Sequence, residues 1–124
     1  MFLGDIMNEK DNSLFKILAD DNRLRMVVLL LNRELCMTHI FIGLDLKQAN
    51  TSRNLKVLKE NGIVSVRTKK NNRYFKINEE YIKKYPLIFE HLINLKNNKK
   101  FIEDEERMKA VKKCGCKGEC ECKL

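Results

Sequence analysis

After Gly62 the hydrophobic pattern of this chain changes period, and few small folds accommodate a switch placed there. Upstream, apolar residues recur at helical spacing. Leu14, Ile17 and Leu18 share one face, and Asp20-Asp21-Asn22 breaks the run with side chains suited to capping a helix N-terminus. Arg23 to Leu31 is apolar enough to be the most buried helix, and Leu35 to Leu44 is expected to form a third, short one, stopped near Gly43. Leu46, Ala49, Leu55 and Leu58 supply the inner face of a fourth helix, which Asn61-Gly62 ends. Downstream, Ile63, Val64 and Val66 are β-formers, Thr68 to Asn72 is a polar turn, and Tyr74, Phe75 and Ile77 return as a second strand.

The rest of the chain is helical again. Asn78-Glu79-Glu80 reads as a cap followed by acids in a first turn, and Pro86 marks a break and a fresh start. Tyr81, Tyr85, Ile88, Leu92 and Leu95 form a seam for packing against another helix, with an intersubunit contact as one reading. Residues 97–113 are mixed in charge with sparse apolar anchors (Phe101, Ile102, Met108 and Val111), the pattern of a marginal helix or linker. The expected organisation is a folded unit over residues 1–98, then a linker and cysteine-rich tail over 99–124.

Charge separates the possible partners. Of the net +8, a surplus of +7 falls between Lys47 and Arg73, where eight basic residues face one acid, Glu60. A field concentrated in this way is the footprint of a polyanion partner. No apolar run approaches the ~20 residues that span a bilayer. The opening residues Met1 to Ile6 are too short for a signal-peptide core. Four of the five cysteines crowd at one end, which fits a reducing compartment better than a secreted disulfide framework. The expected location is therefore the cytoplasm, with no membrane partner.

Three helices, a fourth with an exposed polar and basic face, and a basic hairpin stand in the order of a winged helix-turn-helix. The expected fold is accordingly mainly α with a small β-hairpin. A helix of this kind fits the major groove, and a hairpin tip carrying Lys69, Lys70 and Arg73 can follow the flanking backbone. The stretches "LADDNRLRMVVLLLNRELCMTHI" and "LDLKQANTSRNLKVLKENGIVSVRTKKNNRYFKI" resemble the ArsR/SmtB family of metal-sensing repressors, over roughly residues 14–95. That resemblance implies a repressor that is homodimeric through its terminal helices and binds an inverted repeat in double-stranded DNA. It assigns Gln48, Asn50, Thr51, Ser52, Arg53 and Lys56 to DNA contact, beside the three basic residues of the hairpin. Asn54 departs from the pattern, since the family usually has histidine there.

The inducer is expected to be a thiophilic ion. In the arsenic-sensing branch a Glu-Leu-Cys-x-Cys box holds arsenite; here Glu34-Leu35-Cys36 matches it, but Thr38 replaces the second cysteine and Phe41 stands where a third would fall. One thiol cannot hold a three-coordinate ion, so Cys36 alone reads as a small buried hydrophobe and His39 as a polar filler. His91, lone among flanking Glu90 and Leu92, reads as a surface or dimer-edge residue. The tail offers more: Cys114, Cys116, Cys120 and Cys122 run Cys-x-Cys-x3-Cys-x-Cys, with glycines that permit tight reversal and lysines that favour thiolate. Four thiolates suit zinc or cadmium, and any three suit the pyramidal site of arsenite. Arsenite is the first expectation, with Cys36 joining if the tail folds back. Zinc, cadmium, copper(I) or thiol oxidation are the alternatives, as is a metal-sequestering protein whose basic domain only anchors it. Catalysis is not expected: there is no Cys-x-x-Cys, no nucleotide loop, and no histidine close in sequence to the tail thiols.

Overall fold

Asp20 accepts backbone hydrogen bonds from Asn22 (3.0 Å) and Arg23 (3.2 Å), and there the chain divides into helix α1 (Glu9–Leu18) and helix α2 (Asp21–Leu29). The computed structural model describes residues 9–111 and 122. Met26, Val27, Val28 and Leu29 of α2 are buried, and with Leu30 and Leu31 they form the centre of the core. No helix among the described residues is long and apolar enough to cross a membrane.

The third helix starts later than its apolar residues suggest. Leu35–Cys36 are a short strand, β1, and helix α3 occupies Met37–Leu44. Strand β1 lies antiparallel to β3 (Asn72–Ile77), with Leu35 opposite Phe75 and Cys36 opposite Tyr74. Strand β3 would otherwise expose an edge of unpaired backbone groups; pairing it with two buried residues closes that edge, a demand local periodicity does not show. Asp45 then takes a left-handed conformation (φ 54°), and Leu46 N–H donates to the Phe41 carbonyl (3.0 Å) to end α3. Helix α4 (Gln48–Glu60) follows directly, giving the helix-turn-helix.

Strand β2 (Val64–Lys69) pairs with β3 in register, Val64 opposite Ile77 and Lys69 opposite Asn72, so the sheet order is β1-β3-β2. Only Lys70 and Asn71 lie between the strands, both at positive φ (53° and 67°), as a two-residue hairpin turn of the I′ kind requires. The turn is thus tighter than the polar run Thr68 to Asn72 implies.

Helix α5 (Glu79–Lys84) is capped by the Asn78 side chain, which accepts from Glu80 N–H (3.1 Å), and helix α6 (Pro86–Leu95) begins on its proline. Leu92 is buried, and Tyr81, Tyr85, Ile88 and Leu95 pack half-buried against the chain's own core. Residues Lys99–Lys109 form helix α7, and its main partner is α3. Met108 is fully buried in the common core and Phe101 packs half-buried against it, which anchors a helix of such mixed charge, while Ile102 stays exposed. Asp104 is 2% exposed and receives Arg25 Nε (2.9 Å) and Arg25 Nη2 (2.7 Å), with Arg107 bonded to the same carboxylate. Elsewhere on α7, Arg33 reaches Glu105 (2.7 Å) and Lys100 pairs with Asp21.

Gly43 is where α3 and α7 come closest. A Cβ there would lie 2.8 Å from Met108 Cβ, 3.3 Å from Leu29 Cδ2 and 3.4 Å from the Asp104 carbonyl. Gly43→Ala is expected to lower the thermal midpoint by several degrees. Overpacking costs about 1–3 kcal/mol, more than the ~1 kcal/mol that alanine gains inside a helix. A midpoint that stays or rises in a thermal melt would show that the two helices separate freely.

Candidate metal centre and nucleic-acid interface

Cys36 ends strand β1 and immediately precedes α3, so its position is set from two sides: by the ladder to Tyr74 and by the first turn of the helix. Three residues on, His39 faces the same way, as an i,i+3 pair on a helix does. Its Nδ1 is 3.2 Å from Cys36 Sγ in a buried setting. The chain returns to this point at Cys122. Cys36 N–H donates to Cys122 Sγ (3.0 Å), and the same sulfur is 3.4 Å from His39 Nδ1. The ligand atoms of Cys36, His39 and Cys122 all lie within 4.8 Å of one another. Burial pushes the His39 imidazole pKa down, because a charged ring is disfavoured away from water; the neutral ring keeps a lone pair.

Of the five cysteines, then, the structure brings Cys36 and Cys122 together. Cys114, Cys116 and Cys120 lie outside the described residues. Cys36 is buried, as expected, and it also lies against His39 and Cys122. His39, expected to be a polar filler, lies within 3.4 Å of both sulfurs. Its spacing from Cys36 is visible in the sequence, but a lone Cys-x-x-His pair carries no weight until a second thiol arrives from 83 residues away. His91 is exposed and far from this cluster in sequence.

The cluster sits beside the wing. Glu34, one residue before β1, is buried and binds Arg67 of β2 through Nε (2.8 Å) and Nη2 (2.7 Å), and the Arg67 guanidinium lies 4.4 Å from the centre of the Tyr74 ring. An ion pair to a buried carboxylate fixes the strand that carries Cys36 against the hairpin.

Helix α4 exposes Gln48, Ser52, Arg53 and Lys56, with Asn50 half-buried. Thr51 does not belong to that face. It is 0% exposed, and its hydroxyl donates to the Lys47 carbonyl (3.1 Å), so it points into the core one turn above the helix start. The outward face therefore narrows to its neighbours. Asn54 is turned back along the helix, donating to the Asn50 side chain (2.7 Å) and carbonyl (3.0 Å). Lys69 and Lys70 are exposed at the hairpin tip, and Arg73 is exposed with its guanidinium 5.3 Å from the Phe75 ring centre. Ser52, Lys56, Lys59 and Glu60 of α4 share one cleft of about 330 Å³ with Arg73 and Phe75 of β3, so helix and wing border a common surface.

A model of the family described as "Bacterial regulatory protein, arsR family" matches residues 20–66, which run from the Asp20 cap through α4 into the wing. Over these residues the chain is similar to the ArsR family. The "Arsenic resistance transcriptional regulator ArsR1" of Pseudomonas putida is 40% identical over 67 residues, covering 53% of this chain and 52% of that protein. The "Arsenical resistance operon repressor" of Escherichia coli is 46% identical over 52 residues, covering 41% and 44%. The chain thus spans about half the length of the curated relatives it matches. Among solved structures, the transcriptional regulator HlyU from Vibrio vulnificus superposes with a TM-score of 0.58 at 27% identity, over 68% of this chain and 88% of that one. The ArsR-family match includes Cys36 and His39 and ends before the segment that supplies Cys122.

Proposed function

We propose that this chain is a dimeric, DNA-binding transcriptional repressor of the ArsR family that a thiophilic ion releases from its operator. Arsenite is the proposed inducer, held by tail cysteines together with Cys36. The observation that carries this reading is the return of Cys122 to Cys36, at the joint between wing and helix-turn-helix. Two thiols are in place there, and a third from Cys114, Cys116 or Cys120 completes the set that arsenite takes. The names of the curated relatives, both tied to arsenic resistance, support the choice of ion.

Recognition is proposed to run through Gln48, Asn50, Ser52, Arg53 and Lys56 in the major groove of an inverted repeat, with Lys69, Lys70 and Arg73 on the flanking backbone. Apolar side chains left exposed on the terminal helices, Leu87 (78%) and Ile93 (45%) on α6 and Phe15 (50%) on α1, support a second copy of the chain packing there. An ion drawn between Cys36 and the tail pulls on β1, and through the Glu34–Arg67 pair on the wing. The ligand acts only by its differential affinity for the two dimer states, about 1–3 kcal/mol in typical couplings.

Fluorescence anisotropy of the protein on its operator, titrated with arsenite under reducing conditions, tests the proposal. Release at near-stoichiometric arsenite is expected. Cys122→Ser should raise the arsenite needed by on the order of tenfold or more, as loss of a ligand or its support does elsewhere. Weak, salt-sensitive binding without sequence preference would instead identify a sequestering protein with a basic anchor.

A further inference from the structure

We propose that Cys36, His39 and Cys122 of a single chain form a Cys2His site for a divalent cation of the zinc class, with one coordination position left open. The proposal shares two thiols with the inducer site above and rests on that reading only for its regulatory consequence.

The donor set selects the ion. Imidazole suits zinc, copper, iron and nickel, whereas thiolate suits zinc, copper(I) and iron–sulfur clusters; zinc is the simple divalent ion common to both. Arsenite has no use for the ring nitrogen, and needs a third sulfur that the three residues do not contain. The geometry suits zinc as well. Ligands at about 2.3 Å (sulfur) and about 2.05 Å (nitrogen) subtend roughly 3.6 Å across a tetrahedral angle. The nitrogen-to-sulfur separations are 3.2 and 3.4 Å, so each need open by only a few tenths of an ångström to admit the ion.

The support around the ligands points the same way. Cys36 N–H already donates to Cys122 Sγ, a contact that orients the sulfur. Cys36 and His39 are buried and held on rigid elements, while Cys122 is half-buried against the core. The ion would be ligated by two residues of the ArsR-type head and one of the tail, tying residue 122 to the start of α3. Three protein ligands leave a fourth place for water or for another tail thiol, which is the arrangement of an exchangeable site.

The test uses the full chain carrying Cys114→Ser, Cys116→Ser and Cys120→Ser, so that Cys36 and Cys122 are the remaining thiols. Cobalt(II) is titrated as the spectroscopic stand-in for zinc, and zinc then competes it off. One cobalt per chain is expected, with tetrahedral d–d bands, charge-transfer intensity for two thiolates, and paramagnetically shifted imidazole protons in the NMR spectrum. Adding His39→Gln should weaken cobalt binding on the order of 10- to 100-fold and remove the shifted ring signals, with circular dichroism checking that the variant is folded. Absence of cobalt binding in the triple variant, or unchanged affinity and spectrum after His39→Gln, overturns the site. Because neither readout involves DNA, its failure is separable from failure of the repressor reading, which the operator titration of the unsubstituted chain decides alone.

Discussion

Asp104→Ala is expected to cost about 3–5 kcal/mol of folding stability, the usual result of removing one partner from a buried ion pair. The carboxylate is 2% exposed and carries two bonds from Arg25 and one from Arg107. Without it, the Arg25 side chain, itself 13% exposed, keeps the Leu44 carbonyl (2.7 Å) and a long contact to Asn22 (3.4 Å) but no carboxylate in bonding distance. The same carboxylate raises the Arg25 pKa, by hydrogen bond first and by Coulomb attraction after burial has opposed it. With an m-value of about 1–3 kcal/mol/M for a small protein, the urea midpoint should fall by at least about 1 M at unchanged m. A midpoint within error of the parent would mean that α7 does not stay on α3 in solution. That outcome would also weaken the case for Cys122 at Cys36, since α7 leads into the tail.

Arg53→Ala is expected to weaken operator binding by about 1–3 kcal/mol, on the order of 5- to 150-fold in Kd. Arg53 is exposed on the outer face of α4, flanked by Ser52 and one turn from Lys56, and its charge has no carboxylate partner among the ion pairs of the described residues. If it reads a base, affinity for the cognate sequence falls much more than affinity for random DNA. Equal losses on both, with a salt dependence shallower by about one unit of slope, would assign it to a phosphate instead. Thr51→Ala should behave differently from its neighbours, costing stability through the lost packing and the lost bond to Lys47, and not through DNA contact.

The divergences between sequence and structure have a common origin. Helix breaks at Asp20 and Pro86, the cap at Asn78 and the hairpin after Gly62 all follow from residues acting on their near neighbours. Those features were legible. Leu35 and Cys36 were not, because a helical spacing of apolar residues is equally satisfied by two buried strand residues feeding a helix. Thr51 was placed at DNA by the family resemblance, yet a threonine hydroxyl can bond its own helix while the residue is buried. The charge-rich segment that becomes α7 carried a weak signal. Its stability comes from the Asp104 cluster and Met108, partners that lie on other elements.

By itself the sequence determined the winged helix-turn-helix order, the basic face that α4 and the hairpin share, and the presence of thiols suited to a soft ion, since all three depend on residue type and local spacing. Only the tertiary structure decided that Cys122 meets Cys36 and that His39 stands between them. It likewise decided that α7 packs on α3, where Gly43 permits contact and Asp104 holds two arginines. Proximity across 83 residues is a property of packing, and no local pattern encodes it.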